Sequence, residues 1–479
     1  MNKLTIIAFC LLVAACGKKK NADIYFTTTD KQNTLAPVKV KLANSVKQGE
    51  NTITLFADEK YQEMDGFGAA ITGSSCYNLL QMAPENRAAI LKETFDPVNG
   101  NGYSYIRISI GCSDFDLEDF TNCDKPGIEN FEIHELQKRD LFPILKEILA
   151  INPQLKIMAS PWTCPKWMKV NNLTDLEPFD SWTSGQLNPK YYPDYAEYFV
   201  KYIKAMEAEG FRIESVTIQN EPLNRGNSAS LFMTWQEQRD FIKTALGPAF
   251  EENGIKTKII CYDHNYNYDS QKTDTKDQGS YPLKIYEDAE AAKYTDGAAY
   301  HAYGGNVKEM QRVHDAAPTK NLYFTEMSIG LWGSGYSFEN DLMWNMREVC
   351  LGTINRWCKA VIMWNYMLDD KHAPYRPGGC DICLGAIDID SKDYATMTKN
   401  SHYYTMAHLA KVVKPGAFRI KNEGYKPEGV NYSTFINTDQ TYAMVILNEN
   451  TEEIAINVVA NGKTLSYSIP ARSVVSMRW

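Results

Sequence analysis

Eight short apolar runs recur between residues 66 and 364, several ending in polar residues, with amphipathic stretches between them. In order they are Gly66 to Ile71, Tyr105 to Ser109, Lys156 to Ser160 and Ser215 to Gln219, then Lys258 to Tyr262, Gly297 to His301, Asn321 to Thr325 and Ala360 to Trp364. The stretches between them have helical spacing. Leu141, Ile144, Leu145, Ile148 and Leu149 keep the i, i+3, i+4, i+7, i+8 rhythm of a helix that buries one face. Pro84 stands where a helix begins, Thr234 to Glu237 reads as a capping box, and Gly210 closes the stripe of Tyr195, Phe199, Tyr202 and Met206. Alternating strand and helix requires a parallel sheet with helices outside, and eight repeats closing on themselves predict a (β/α)8 TIM barrel. An open doubly wound sheet is the alternative, but no G-x-G-x-x-G follows the first strand to mark a dinucleotide site.

The pattern changes after a last helical stretch, Met397 to Val413. Strand-like alternation returns in Thr441 to Leu447, and Asn461-Gly462 separates two further runs as a hairpin turn does. Val38 to Leu42 and Thr52 to Phe56, ahead of the barrel, alternate in the same way, so an attached β-sandwich is expected from both ends of the chain. With 479 residues, the chain has room for such a barrel and attachment.

Lys3 and the apolar stretch to Ala15, too short to span a bilayer, read as a secretory signal. Val13-Ala14-Ala15-Cys16 resembles a bacterial lipoprotein signal, with Cys16 as the lipidated first residue and lipid on it as the only membrane contact; a plain signal peptide cut near Ala15, or a fortuitous apolar start, is the alternative. The expected division is therefore signal peptide 1–16, flexible tether 17–33, sandwich strands 34–62, barrel 63–413 and C-terminal sandwich 414–479, in an exported lipoprotein on the outer-membrane surface or periplasmic face. Cys380-Asp381-Ile382-Cys383 is the only C-x-x-C; in an oxidising compartment a local disulfide is favoured over a metal site or free thiols.

The balance of 50 Lys+Arg against 59 Asp+Glu, a formal charge of -9, provides no cationic footprint for nucleic acid. An aromatic content of 12%, with 9 Trp and 29 Tyr, suits sugar stacking as well as core filling.

Catalytic groups of a TIM barrel sit at the C-terminal strand ends. Strand four runs into Gln219-Asn220-Glu221-Pro222 and strand seven into Thr325-Glu326-Met327-Ser328. Strands four and seven face each other across the barrel mouth, where two carboxylates can act on one glycosidic bond, one protonating the departing oxygen and the other attacking the anomeric carbon or activating water.

Asp65-Gly66-Phe67-Gly68-Ala69-Ala70, Ser160-Pro161-Trp162-Thr163-Cys164-Pro165, Gln219-Asn220-Glu221-Pro222 and Phe324-Thr325-Glu326, in that order, resemble glycoside hydrolase family 30, the glucosylceramidase-like enzymes. The resemblance implies a retaining double displacement with Glu221 as general acid/base and Glu326 as nucleophile. It also implies that Asn220 bonds the sugar 2-hydroxyl, that Asp114 and Trp162 hold the outer hydroxyls, and that Arg107 supports the nucleophile side. His301 and Tyr303 are expected near the nucleophile, Trp364 and Asn365 in the pocket wall, and Asp263 and His264 are further lining candidates.

The loop Pro377 to Cys383 resembles the Gly-Gly-Cys loop of the β-1,6-glucanase branch, which favours a β-glucan oligo- or polysaccharide substrate, specifically β-1,6-glucan. A glucosylceramidase or β-glucosidase is the alternative within the family, and a non-catalytic carbohydrate-binding lipoprotein the alternative of another class. No cofactor is implied, and no H-E-x-x-H or comparable metal-ligand spacing is present.

Overall fold

The computed structural model describes residues 21–47, 49–266 and 276–479. The expected signal peptide, Cys16 and the first part of the expected tether lie outside them.

Eight parallel strands form the barrel: Gly66–Ala69, Tyr105–Ile110, Lys156–Pro161, Ile213–Thr217, Lys258–Asn265, Thr295–His301, Asn321–Glu326 and Cys358–Met363, called here barrel strands one to eight. Strands one and two close the cylinder: Ile71 N–H donates to Arg107 O at 2.8 Å and Ser104 N–H to Phe67 O at 2.9 Å. Gly68 allows that approach, since a Cβ there would stand 2.1 Å from the carbonyl oxygen of Tyr105. Helices cover the outside, among them Pro84–Phe95, Phe142–Ile151 and Tyr192–Ala208. Trp235–Phe241 opens on the expected capping box, with Glu237 N–H donating to Thr234 Oγ1 at 3.3 Å and Thr234 N–H to Glu237 Oε2 at 2.8 Å.

The strand period of two stacks the barrel interior in layers. Tyr105, Met158, Ile260, Ala299, Tyr323, Ala360 and Ile362 form an apolar plug. Two residues further along their strands, Tyr105 gives way to Arg107, Met158 to Ser160 and Tyr323 to Thr325, all fully buried. The plug below therefore seals a polar layer above. Asp65, from the first quoted motif, lies at the opposite end, where it accepts from Lys156 Nζ at 2.6 Å. Its role belongs to the closed bottom of the barrel.

The sandwich combines both ends of the chain in the order Ala36–Lys41, Asn21–Thr28, Ser473–Arg478, Tyr442–Asn448, Val430–Ile436, Phe418–Gly424, Thr52–Glu63, Ile454–Ala460 and Lys463–Ile469. Asn461 and Gly462, with φ of 47° and 73°, make the expected two-residue turn. Residues 21–33 are not a tether. Asn21–Thr28 is a strand inserted between two others, with Ala22 and Ile24 in the sandwich core, and its short alternation was obscured in the sequence by flanking polar residues. The last helix is also shorter than expected: Met397–Lys399 pairs with Ile387–Ile389, and the helix covers Ser401–Val412. On that helix His408 joins the two domains, its ring nitrogens 3.0 Å from Ser476 Oγ and 2.8 Å from Thr27 Oγ1.

Candidate active site

Glu221 and Glu326 both open onto one cavity of about 480 Å³, bordered further by Asp114, Asn224, Asn227, His264, Asn265, Tyr303, Trp332, Trp364 and the loop of Gly378, Gly379, Cys380 and Cys383. His301 lies between the two carboxylates, its Nδ1 3.1 Å from Glu221 Oε1 and 3.9 Å from Glu326 Oε1. The facing oxygens are therefore at most about 7 Å apart, a span that one glycosidic linkage bridges.

Arg107 organises the floor. Its fully buried guanidinium donates to Glu326 Oε2 at 2.6 Å, to Asn220 Oδ1 at 2.7 Å, to Asp263 Oδ2 at 2.8 Å and to Ser160 Oγ at 3.0 Å. Burial disfavours that charge, but Asp263 and Glu326 keep it protonated. Asp263 is held well below the ordinary carboxylate range, because Arg107, His301 and Thr325 outweigh its burial. It reaches the floor through a local irregularity: the register between strands five and six shifts at Tyr262 to His264, and Tyr262 and Asp263 both have φ of 69°. Such a bulge lets the neighbours Asp263 and His264 both serve the site, where regular alternation would have turned one outward. Glu221 also stands in the left-handed region, with φ of 47°, and its N–H donates to Asp263 O at 2.9 Å.

The charges are interdependent. Burial raises the Glu326 carboxyl, reinforced by the charge of Glu221 and opposed by His301 and Arg107. Burial would raise Glu221 too, yet His264 and His301 hold it well below its ordinary value. Burial opposes a charge on His301, but Glu326, Asp263 and Glu221 push it up to about 9. The proton therefore rests on His301, and the imidazolium donates to the Glu221 carboxylate through Nδ1 at 3.1 Å and to Asp263 through Nε2 at 3.0 Å. Burial, with Glu326 and Glu221 nearby, raises Asp114 well above the carboxylate range, which equips it as a hydroxyl donor in the cavity.

Of the residues expected here, Glu221, Glu326, Asp114, His264, Tyr303 and Trp364 reach the cavity while Asp263 does not, and Tyr303 OH donates to Glu326 Oε1 at 3.1 Å. Arg107, Asn220, His301 and Trp162 stand directly behind them. Trp162 stacks on Trp364 with centroids 5.2 Å apart, and the Arg107 guanidinium lies 4.8 Å from the Trp162 ring. Asn365 does not form part of the wall. It is fully buried, and its Oδ1 accepts from Thr72 Oγ1 at 2.7 Å. A φ of 55° turns the backbone there, so consecutive residues Trp364 and Asn365 diverge.

Sequence reasoning missed Asn224 and Asn227, which donate through Nδ2 to Glu221 Oε2 at 2.7 and 3.3 Å, and Trp332, 40% exposed at the rim. Asn224 lies three residues beyond Glu221, a spacing that places it at a turn; Trp332 carries no such signal. Cys380 and Cys383 form the expected disulfide, which borders the cavity. Ile329–Gly330 pairs with Cys383–Leu384, so the disulfide loop and the loop bearing Trp332 brace each other.

A model described as "Glycosyl hydrolase family 30 TIM-barrel domain" matches residues 64–413, and one described as "Glycosyl hydrolase family 30 beta sandwich domain" matches residues 416–477. The chain is 29% identical over 441 residues to an endo-1,6-beta-D-glucanase, BGN16.3, of Trichoderma harzianum, covering 87% of this chain and 84% of that one. It is 29% identical over 424 residues to putative glucosylceramidase 4 of Caenorhabditis elegans, covering 82% and 76%. Among solved structures, the endo-beta1,6-glucanase BT3312 superposes with a TM-score of 0.93 and 57% identity, covering 96% of this chain and 99% of that one.

Proposed function

The chain belongs to glycosyl hydrolase family 30 and is a glycosidase, and from that premise we propose that it cleaves β-1,6-glucan internally by double displacement, with Glu326 as nucleophile and Glu221 as acid and then base. The linkage rests on one observation, the 57% identity over nearly the whole chain to a protein described as an endo-β-1,6-glucanase. The Trichoderma glucanase and the nematode glucosylceramidase are each 29% identical to this chain, so the solved structure carries the choice between the two substrates.

The roles rest on the hydrogen bonds around the two carboxylates rather than on their resting charges, since burial raises Glu326 while the imidazoles lower Glu221. Arg107 and Tyr303 donate to both oxygens of Glu326, which orients the carboxylate and favours its charged form for attack on the anomeric carbon. Glu221 receives a proton from the His301 imidazolium across their hydrogen bond and passes it to the departing oxygen. Once that proton has gone, Glu221 is the base that takes one from water as the glycosyl-enzyme is hydrolysed. Asn220, oriented by Arg107 just behind the cavity wall, is the proposed partner of the 2-hydroxyl, and Asp114, which borders the cavity, that of an outer hydroxyl of the same ring. Trp364, backed by Trp162, presents an aromatic wall to the sugar. Export and anchoring through a lipid on Cys16 belong to the same proposal and rest on the sequence of the first sixteen residues. Lipid labelling of the wild type that disappears in Cys16→Ser supports that placement; labelling of neither defeats it.

Incubation with linear β-1,6-glucan, an aryl β-glucoside and glucosylceramide tests the reading. The expected products are oligosaccharides of several lengths from the glucan, each appearing first as the β-anomer by NMR. Glucose alone from the polymer, an α-anomer, or turnover confined to the other two substrates overturns it. Glu326→Gln is expected to abolish hydrolysis while retaining oligosaccharide affinity, which separates an enzyme from a binding protein.

A further inference from the structure

Three strand ends that share no sequence motif bring a carboxylate and two imidazoles together. Glu221 follows strand four, His264 belongs to strand five and His301 ends strand six. His301 Nδ1 and His264 Nδ1 stand 3.1 and 3.5 Å from Glu221 Oε1, and one ligand atom from each residue lies within 4.8 Å of the others. Ligands bonded at about 2.0–2.1 Å to a tetrahedral zinc ion are separated by about 3.3 Å. The two spacings to the carboxylate oxygen are therefore close to two edges of such a site, and the nitrogens, within 4.8 Å of each other, can complete the third by side-chain adjustment.

We propose that Glu221, His264 and His301 bind a divalent transition metal of the zinc class at the floor of the cavity, and that the bound ion blocks hydrolysis.

Three further observations carry this. The other nitrogen of His301 donates to Asp263 at 3.0 Å, and Arg107 anchors Asp263 in turn at 2.8 Å. A carboxylate behind a histidine ligand sets its tautomer and ring orientation and raises its basicity, which is the usual support for a metal-bound imidazole. All three ligands are buried, so their side chains are already oriented and little rotamer entropy remains to be lost on binding. The fourth position is available: Glu221 and His264 border the open cavity, and Glu326 Oε1 lies 3.9 Å from His301 Nδ1. A pair of nitrogens with one carboxylate oxygen suits zinc, cobalt or nickel better than calcium or magnesium, which prefer all-oxygen shells. The ion replaces the proton between His301 and Glu221, and that proton leaves to solvent. No other group of three such ligands occurs among the described residues. The binding is independent of the catalytic reading; only the inhibition rests on Glu221 being the acid and base.

Substrate-free protein titrated with Co2+ and Zn2+ provides the test. The expected results are a visible d–d band saturating at one Co2+ per chain, displacement of that band by Zn2+, and an X-ray absorption spectrum of the zinc form with two imidazoles in the first shell. His264→Gln, with a thermal transition matching the wild type, is expected to weaken Zn2+ binding by tenfold or more. Zinc is expected to inhibit the wild type competitively, reversed by chelator. Absence of a stoichiometric band, or one imidazole or none around the zinc, overturns the site, as does unchanged affinity in a folded His264→Gln. Tight binding without inhibition leaves the site standing and overturns the blocking role together with the assignment of Glu221.

Discussion

Arg107 Nη1 stands 2.6 Å from Glu326 Oε2, and the same guanidinium reaches Asn220, Asp263 and Ser160. One cation therefore sets the position of the expected nucleophile, the expected 2-hydroxyl ligand and the carboxylate behind His301. Lysine cannot copy this, because its ammonium is a point charge without a planar fork. Arg107→Lys is expected to lower kcat on glucan by roughly 10–100-fold, since each lost hydrogen bond to a charged group is worth about 1.5–3 kcal/mol. Arg107→Met, which strips the cation from buried acids, is expected to cost about 3–5 kcal/mol of stability. Steady-state kinetics and denaturant unfolding check the two.

Trp162 and Trp364 stack with an interplanar angle of 27°, but only Trp364 borders the cavity. Their roles should therefore separate. Trp364→Phe is expected to raise KM for glucan oligosaccharides severalfold with a modest change in thermal midpoint. Trp162→Ala leaves a buried void behind the wall and is expected to cost about 3–5 kcal/mol. A raised KM with unchanged midpoint in Trp162→Ala would contradict the arrangement.

The Cys380–Cys383 disulfide closes only a three-residue separation, so its constraint on the unfolded chain is small, about 2 kcal/mol or less. It braces the cavity wall, where Leu331 N–H donates to Ile382 O at 2.9 Å beside Trp332. The double variant Cys380→Ser, Cys383→Ser is expected to unfold within a few degrees of the wild type while KM for the polymer rises and kcat changes little. Kinetics with and without reductant on the wild type should reproduce the difference.

His408 carries a pH dependence of stability. Burial, with Lys411 adding, lowers it from 6.5 to about 3, so the folded protein keeps it neutral where the unfolded chain protonates. Its contribution is complete above about pH 6.5 and is lost as pH falls from there toward about 3, at up to about 1.4 kcal/mol per pH unit. Glutamine retains a donor and an acceptor for Ser476 and Thr27 without titrating. His408→Gln is therefore expected to show a shallower loss of stability between pH 6 and 4 than the wild type, measured by urea unfolding at each pH; parallel curves would refute this.

The eight runs alternating with helices were sufficient to identify the barrel, because the hydrophobic period of an element is written in neighbouring residues. The two glutamates were legible for a related reason. Barrel topology assigns chemistry to strand ends before any residue there is known, and Glu221 and Glu326 follow strands four and seven directly.

What the residues do to one another was decided only by closure of the cylinder. Asp263 and His264 serve the site together because a bulge re-aims the chain, and Asn365 leaves the wall because its backbone turns. His301 comes between two carboxylates carried by other strands, and Asn21–Thr28 becomes a strand because Ser473–Arg478, at the far end of the chain, offers it an edge. Local pattern specifies which face of an element is buried. Contacts between residues distant in sequence depend on strand register and backbone turns, which no single segment encodes.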